Sequence, residues 1–144
     1  GGGLVRISAD AVVVDGAIRA DGAGESGSYR SGGSGGGIRL DVGTLLGAGT
    51  ISANGGNGRN DGYASYGSAG GGGRVAIYSM DDYGSHGEAS DYTAPAYINV
   101  DGGAGGTAIE DTPKPGTAGA DGTFYDGDWP PFPIPPKGIL LKFQ

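Results

Sequence analysis

Apolar and polar residues alternate in short runs along this chain. In residues 4–8, Val5 and Ile7 fall on one side and Arg6 and Ser8 on the other; in residues 38–42, Ile38, Leu40 and Val42 alternate with Arg39 and Asp41. The runs "RVAIY" at 74–78 and "AYINV" at 96–100 follow the same rule. A period of two over four to eight residues predicts half-buried β-strands, and no segment carries the 3.6-residue period of an amphipathic helix. The predicted class is all-β, with strands separated by stretches of Gly, Ser, Asn and Tyr.

The strands repeat. Shifting the chain by 33 residues lays Gly3 on Gly36, Arg6 on Arg39, Gly16 on Gly49, Ile18 on Ile51, Ala20 on Ala53 and Gly22 on Gly55. Apolar positions coincide as well: Val5 with Ile38, Ile7 with Leu40, Val12 with Leu45. A third copy opens at "GGGRVAIY", residues 71–78, and "ADGTFYDG" at 120–127 opens a fourth. A hairpin sandwich has no need of apolar positions in register, whereas a stack of coils buries its apolar face only by placing equivalent positions on one another. Three ladders are predicted: Val5, Ile38, Val75 and Phe124; Ile7, Leu40 and Ile77; Ile18, Ile51 and Ile98.

The motifs "GGGIRL", "GTISANGG" and "GGGGRVAIY" resemble the glycine-rich parallel β-helix repeats of large secreted and cell-surface proteins. The resemblance covers residues 1–127 and implies a right-handed parallel β-helix, or solenoid, of about three to four coils. It further implies an extracellular or cell-surface location and a structural or adhesive role. Some proteins of this kind act on polysaccharide, so the alternative is a carbohydrate-binding or polysaccharide-degrading fragment.

Composition sharpens the picture. Of 144 residues, 35 are Gly and 8 are Pro, a share typical of low-complexity chains unless a period explains it. Glycine does not recur at every third position throughout, which excludes collagen. The expected reasons for so much glycine are corners that need positive φ and close approach of successive backbones. Beginning at Gly1 inside a repeat, the sequence reads as part of something longer.

Residues 128–144 leave the repeat. "PPFPIPP", at 130–136, carries Phe132 and Ile134 on a stiff arm of polyproline type, because prolines cannot donate to a sheet. "KGILLKFQ" then alternates, with Ile139, Leu141 and Phe143 on one side. This strand is expected either to cap the chain's own last coil or to add to a neighbouring copy. At the other end the first coil begins without a cap, which would expose Val5 and Ile7. Head-to-tail assembly of the chain with itself into a filament would use both ends.

Charge and chemistry narrow the function. The net charge is −7; residues 1–80 carry six acids and six Arg, while residues 81–128 carry ten acids and only Lys114. An acidic chain without a basic stripe does not suit nucleic acid, where phosphate neutralisation supplies most of the affinity. No apolar run approaches the roughly 18 residues of a membrane span. Cysteine is absent and His86 is the single histidine, so neither a thiolate metal site nor a histidine-centred triad is expected. Asp81 with Asp82 and Asp126 with Asp128 stand out as acid pairs; they would be the ligands of a structural Ca²⁺, although their spacing matches neither an EF-hand loop nor the nonapeptide calcium repeat. As turn residues they hydrogen-bond the backbone, and no catalytic pair is assigned. Arg6 and Arg39 form an outward basic pair that offsets nearby Asp. Tyr29, Tyr63, Tyr66, Tyr83 and Tyr92 fall in the long connections, where stacking would gather them for contact with a protein or an extracellular polysaccharide.

Overall fold

The computed structural model describes residues 1–24, 31–58, 67–79, 98–106, 116–128 and 140–143. Eight strands occur among them, and no helix: β1 (Leu4–Val14), β2 (Ala17–Arg19), β3 (Gly37–Leu46), β4 (Thr50–Ser52), β5 (Arg74–Ser79), β6 (Ile98–Asn99), β7 (Thr123–Asp128) and β8 (Leu140–Phe143). They form two sheets, one ordered β7-β5-β3-β1-β8 and one ordered β2-β4-β6, and every pairing is parallel. The fold is all-β with parallel sheets.

The registers follow the sequence ladders. Val5 pairs with Ile38, Ile38 with Val75 and Val75 with Phe124; Ile7 pairs with Leu40 and Leu40 with Ile77; Ile18 pairs with Ile51 and Ile51 with Ile98. These rows, with Val12, Val14 and Val42, make one apolar core between the two sheets, except that Phe124, expected as an inward member, is exposed at the end of its row. Along β1 the buried positions step from Ala9 to Val12, so the alternation slips by one at Asp10 and Ala11. There the ladder to β3 lapses opposite Gly43, whose Cβ would meet the carbonyl of Asp10. In the first two passes the chain bends here.

Beyond the sheets the two layers continue as glycine-rich legs. Legs 20–24, 53–58 and 100–106 leave from β2, β4 and β6; legs 31–36, 67–73 and 116–122 return, the last two running into β5 and β7 and the first into β3. Facing legs run antiparallel and bond through their backbones. Gly36 and Gly33 donate to the carbonyls of Ala20 and Ala23, Gly73 and Gly70 to those of Ala53 and Gly56, and Gly122, Gly119 and Gly116 to those of Val100, Gly103 and Gly106, at 2.6 to 3.1 Å. Each series advances three residues on both legs. That is the period of the polyproline II helix, in which side chains point out at intervals of 120° and the backbone relies on neighbours for hydrogen bonds.

One leg also bonds to the next pass on its facing side, Gly56 donating to Gly33 and Gly103 to Gly70. Within a layer, Gly22 donates to Asn54, Gly55 to Asp101, Gly35 to Gly71 and Gly72 to Ala120. Two of every three positions therefore face another backbone, and the third faces solvent. A Cβ added at Gly56 would overlap the carbonyl of Ala23, and one at Gly70 the carbonyl of Gly33. At Gly71, on the open position, the nearest atom would be 3.4 Å away.

Three expectations are corrected here. Corners are a minor use of glycine: Gly47, at φ +107°, is the one glycine among the described residues in the left-handed region, and close approach of another backbone accounts for most of the rest, though not for open positions such as Gly3, Gly24 and Gly71. Ile7 is buried and Val5 half-buried rather than exposed, because β3 and the short sheet cover them; Leu4, 82% exposed, is the open apolar residue of the first strand. The C-terminal strand does not cap the last pass but lies on the first, Leu140 to Phe143 pairing with Ala11 to Val14. Strand β7 runs through Asp128.

The leg geometry predicts opposite outcomes for one substitution at two kinds of glycine. Gly56→Ala is expected to cost about 3 kcal/mol or more, since neither overlapping partner is a flexible side chain. Gly71→Ala is expected to stay within about 0.5 kcal/mol. Urea denaturation of the two variants checks this.

Candidate functional site

The outward rows of the larger sheet hold the densest group of polar side chains among the described residues. Parallel pairing sets Arg6 beside Arg39, Arg39 beside Ala76 and Ala76 beside Tyr125; the next row is Ser8, Asp41, Tyr78 and Gly127. Asp41 is 1% exposed although it lies on the outer face, because two guanidinium groups cover it. Arg39 donates from Nε to Asp41 Oδ1 at 2.8 Å, and Arg6 donates from Nε to Oδ2 at 3.1 Å with its Nη2 also 3.1 Å away. Both carboxylate oxygens are occupied. The guanidinium of Arg39 lies over the ring of Tyr78, 4.4 Å from its centre, and that ring packs at a tilt against Tyr125 with 5.3 Å between centres. The result is a chain of contacts, Arg6 to Asp41 to Arg39 to Tyr78 to Tyr125, crossing four strands.

Beside this chain the surface dips. Gly37 and Ala76 form its floor, and Leu4, Arg39, Arg74 and Tyr78 stand around it, enclosing about 320 Å³ that opens to solvent. Arg74 is exposed, and its guanidinium has no partner among the described residues.

The two ends of the stack differ. At the first strand, β8 occupies the edge opposite Ala11–Val14, and Leu4 to Asp10 keep theirs open. At the last pass, glycine gives way to acid. Gly2, Gly35 and Gly72 occupy equivalent places on successive returning legs, where a Cβ would meet the carbonyls of Ala20, Ala53 and Val100. The fourth place is Asp121, whose Oδ1 accepts from the backbone N–H of Gly102 at 3.0 Å. In the earlier passes the matching N–H groups of Gly22 and Gly55 donate to the next leg. Asp121 thus fills the place of a leg that does not follow. Asp126, in register with Ile77, likewise ends the apolar row of Ile7, Leu40 and Ile77, and it is exposed.

Side chains on the open leg positions tie the passes together. Asp21 Oδ1 accepts from the N–H of Asn54, Asn54 Oδ1 from that of Asp101, and Asn57 Oδ1 from that of Ala104, at 2.8 to 3.0 Å. These N–H groups point along the stack, and an Asx side chain one pass earlier satisfies them.

Of the residues singled out in the sequence, Val5 and Ile7 belong to the core wall. Leu141 and Phe143 stand in register with Val12 and Val14. Asp126 lies at the end of an inward row, and no group of three or more metal-ligating side chains occurs among the described residues. Ile139, Phe132, Ile134, Asp81, Asp82 and the tyrosines at 29, 63, 66, 83 and 92 lie outside the described residues. The described leg ends lie side by side, since Gly33 bonds to Ala23, Gly56 to Gly33 and Gly58 to Ala104. Sequence reasoning missed Tyr78, Tyr125 and Arg74. The alternation of "RVAIY" with "TFY" marks all three as outward, and the register of 74 on 123 makes Tyr78 and Tyr125 diagonal neighbours.

Compared with known protein families, curated proteins and solved structures, the chain finds no match.

The buried carboxylate supplies a test of the Arg–Asp arrangement. Replacing both Arg6 and Arg39 with Ala leaves Asp41 covered by less polar neighbours and without its two donors, at an expected cost of about 2–3 kcal/mol. Adding Asp41→Asn to that pair is expected to recover part of the loss, as a neutral amide is less costly to leave without a charged partner. Thermal unfolding of the double and triple variants reads the order.

Proposed function

We propose that this chain is a non-catalytic structural and adhesive module of an extracellular or cell-surface protein, folded as a right-handed parallel β-solenoid. The observation that carries the reading is the bonding of the glycine legs. Two layers joined backbone to backbone over three passes make a stiff slab that holds the described leg ends side by side. A rigid frame that presents variable connections is a common basis for binding. Catalysis has less support: the most enclosed carboxylate among the described residues, Asp41, has both oxygens committed to arginine.

Two versions of the role differ in how copies meet. Head-to-tail filaments need matching open ends, and a self-contained module needs closed ones. The second version is favoured by β8 on the first strand and by the carboxylates of Asp121 and Asp126 at the last pass, since another copy stacked there would have to bury them. The chain is long enough to close on itself. From β7 to β8 is four strand spacings, about 19 Å, and the eleven residues between them, 129–139, span roughly 35 Å if extended at about 3.1 Å each. The same slot on β1 would accept β8 of a neighbour, which is the route by which copies would join.

Light scattering and electron microscopy decide between the versions. The intact chain is expected to be monomeric at high concentration, and removal of residues 129–144 is expected to open the β1 edge and produce oligomers. Ordered fibres from the intact chain would favour end-to-end assembly instead.

A further inference from the structure

The dip beside the Arg–Asp–Tyr chain has a place in neither the core nor the proposed frame. Its floor is made by Gly37 and Ala76, small residues set among the outward Leu4, Arg6, Arg39, Arg74 and Tyr78. Their smallness leaves room above the sheet that a larger side chain would fill. On those rows three arginines face one aspartate, so the face holds two positive charges in excess, on a chain whose net charge is −7.

We infer that this dip binds a carboxylate-bearing saccharide, with the carboxylate held between Arg74 and Arg39. Arg74 has no partner among the described residues, and Arg39 gives Asp41 only its Nε, so guanidinium N–H groups on both sides of the floor are uncommitted among the described residues. A planar guanidinium suits a carboxylate because two parallel N–H groups meet its two oxygens. The walls add an apolar contribution: Leu4 is 82% exposed at the rim, and Tyr78 is fixed in place by Arg39 and Tyr125. A pyranose ring has an apolar face and a polar edge, and such a surface matches both. About 320 Å³ is at the low end for a ligand pocket, room for one sugar ring and its carboxylate. The dip is open along the sheet, which lets a polymer continue past it. An acidic peptide also carries carboxylates, but a short aspartate or glutamate side chain would leave Leu4 uncovered.

Titration calorimetry with the intact chain tests this, using trigalacturonate, the neutral trigalactose and hexaglutamate as probes. Trigalacturonate is expected to bind at least tenfold more tightly than either of the others. Arg74→Ala is expected to weaken that binding at least tenfold while leaving the melting temperature within about a degree. Ala76→Leu, which fills the floor and keeps every charge, is expected to abolish it. Equal binding of hexaglutamate, unchanged binding by Arg74→Ala, or no heat with trigalacturonate at millimolar concentration would each overturn the inference. If the leucine variant does not fold, the arginine variant and the probe comparison still decide. The outcome is independent of whether copies of the chain assemble, so it can fail while the structural role stands.

Discussion

Backbone must meet backbone without a side chain between them: this one condition governs the glycine half of the molecule. Sheets that pack through side chains lie about 10 Å apart. The facing legs lie within hydrogen-bonding distance, with N–H groups donating directly across the gap at 2.6 to 3.3 Å. Nothing larger than hydrogen fits at the inward positions, and glycine there is fixed by sterics. The entropy that glycine costs on folding is offset by hydrogen bonds made in three directions at once, to the facing leg and to the passes before and after.

The two halves of each pass solve one problem by different means. Over the strands the layers are held apart and filled by Ile, Leu and Val; over the legs they close and bond to each other. The change occurs where the chain leaves β2, β4 and β6. Ala20 and Ala53, both buried, are the last inward side chains before glycine takes over, and their methyl groups suit a gap that is closing. A taper from branched residues through alanine to glycine is thus written into "AIRADG" and "TISANGG".

Much of the strand half was legible in the sequence, because side chains that stack must agree. The shift of 33 residues that aligns Gly3 with Gly36 is also the offset of the β1–β3 ladder, and Val5, Ile7 and Ile18 fall where alternation puts them. Later offsets are longer, with Gly37 on Arg74 and Arg74 on Thr123, since the connections between passes vary while the strands do not. A fixed period fails after the first repeat for that reason. The legs were harder to read. Glycine was judged against a whole-chain triplet, which it does not follow, although "SGGSGG", "NGGNG" and "DGGAGG" each keep a local one. Tyr78 and Arg74 carry no separate signal in the sequence, because they occupy ordinary outward positions of the alternating run "RVAIY". The placing of β8 on the first strand rather than the last could not be read from alternation, which fixes a face but not a neighbour.

Most bonds within each layer of legs run one way, while those of Gly37 to Gly3, Arg74 to Gly36 and Thr123 to Gly73, where legs meet strands, run back. Gly2 donates to Ser34, Gly22 to Asn54, Gly32 to Ser68, Gly55 to Asp101, Ala69 to Thr117 and Gly72 to Ala120, always from an earlier pass to a later one. Peptide units aligned in this manner add their dipoles, as they do along a helix, and the N–H end is the positive one. That end is the last pass. Asp101 and Asp121 stand there, and most of the chain's acids lie in residues 81–128, while its early passes balance acid with arginine. The lopsided charge that the sequence displays from one half to the other is then the counterpart of a polarity in the backbone itself, a slab with a plus pole and a minus pole.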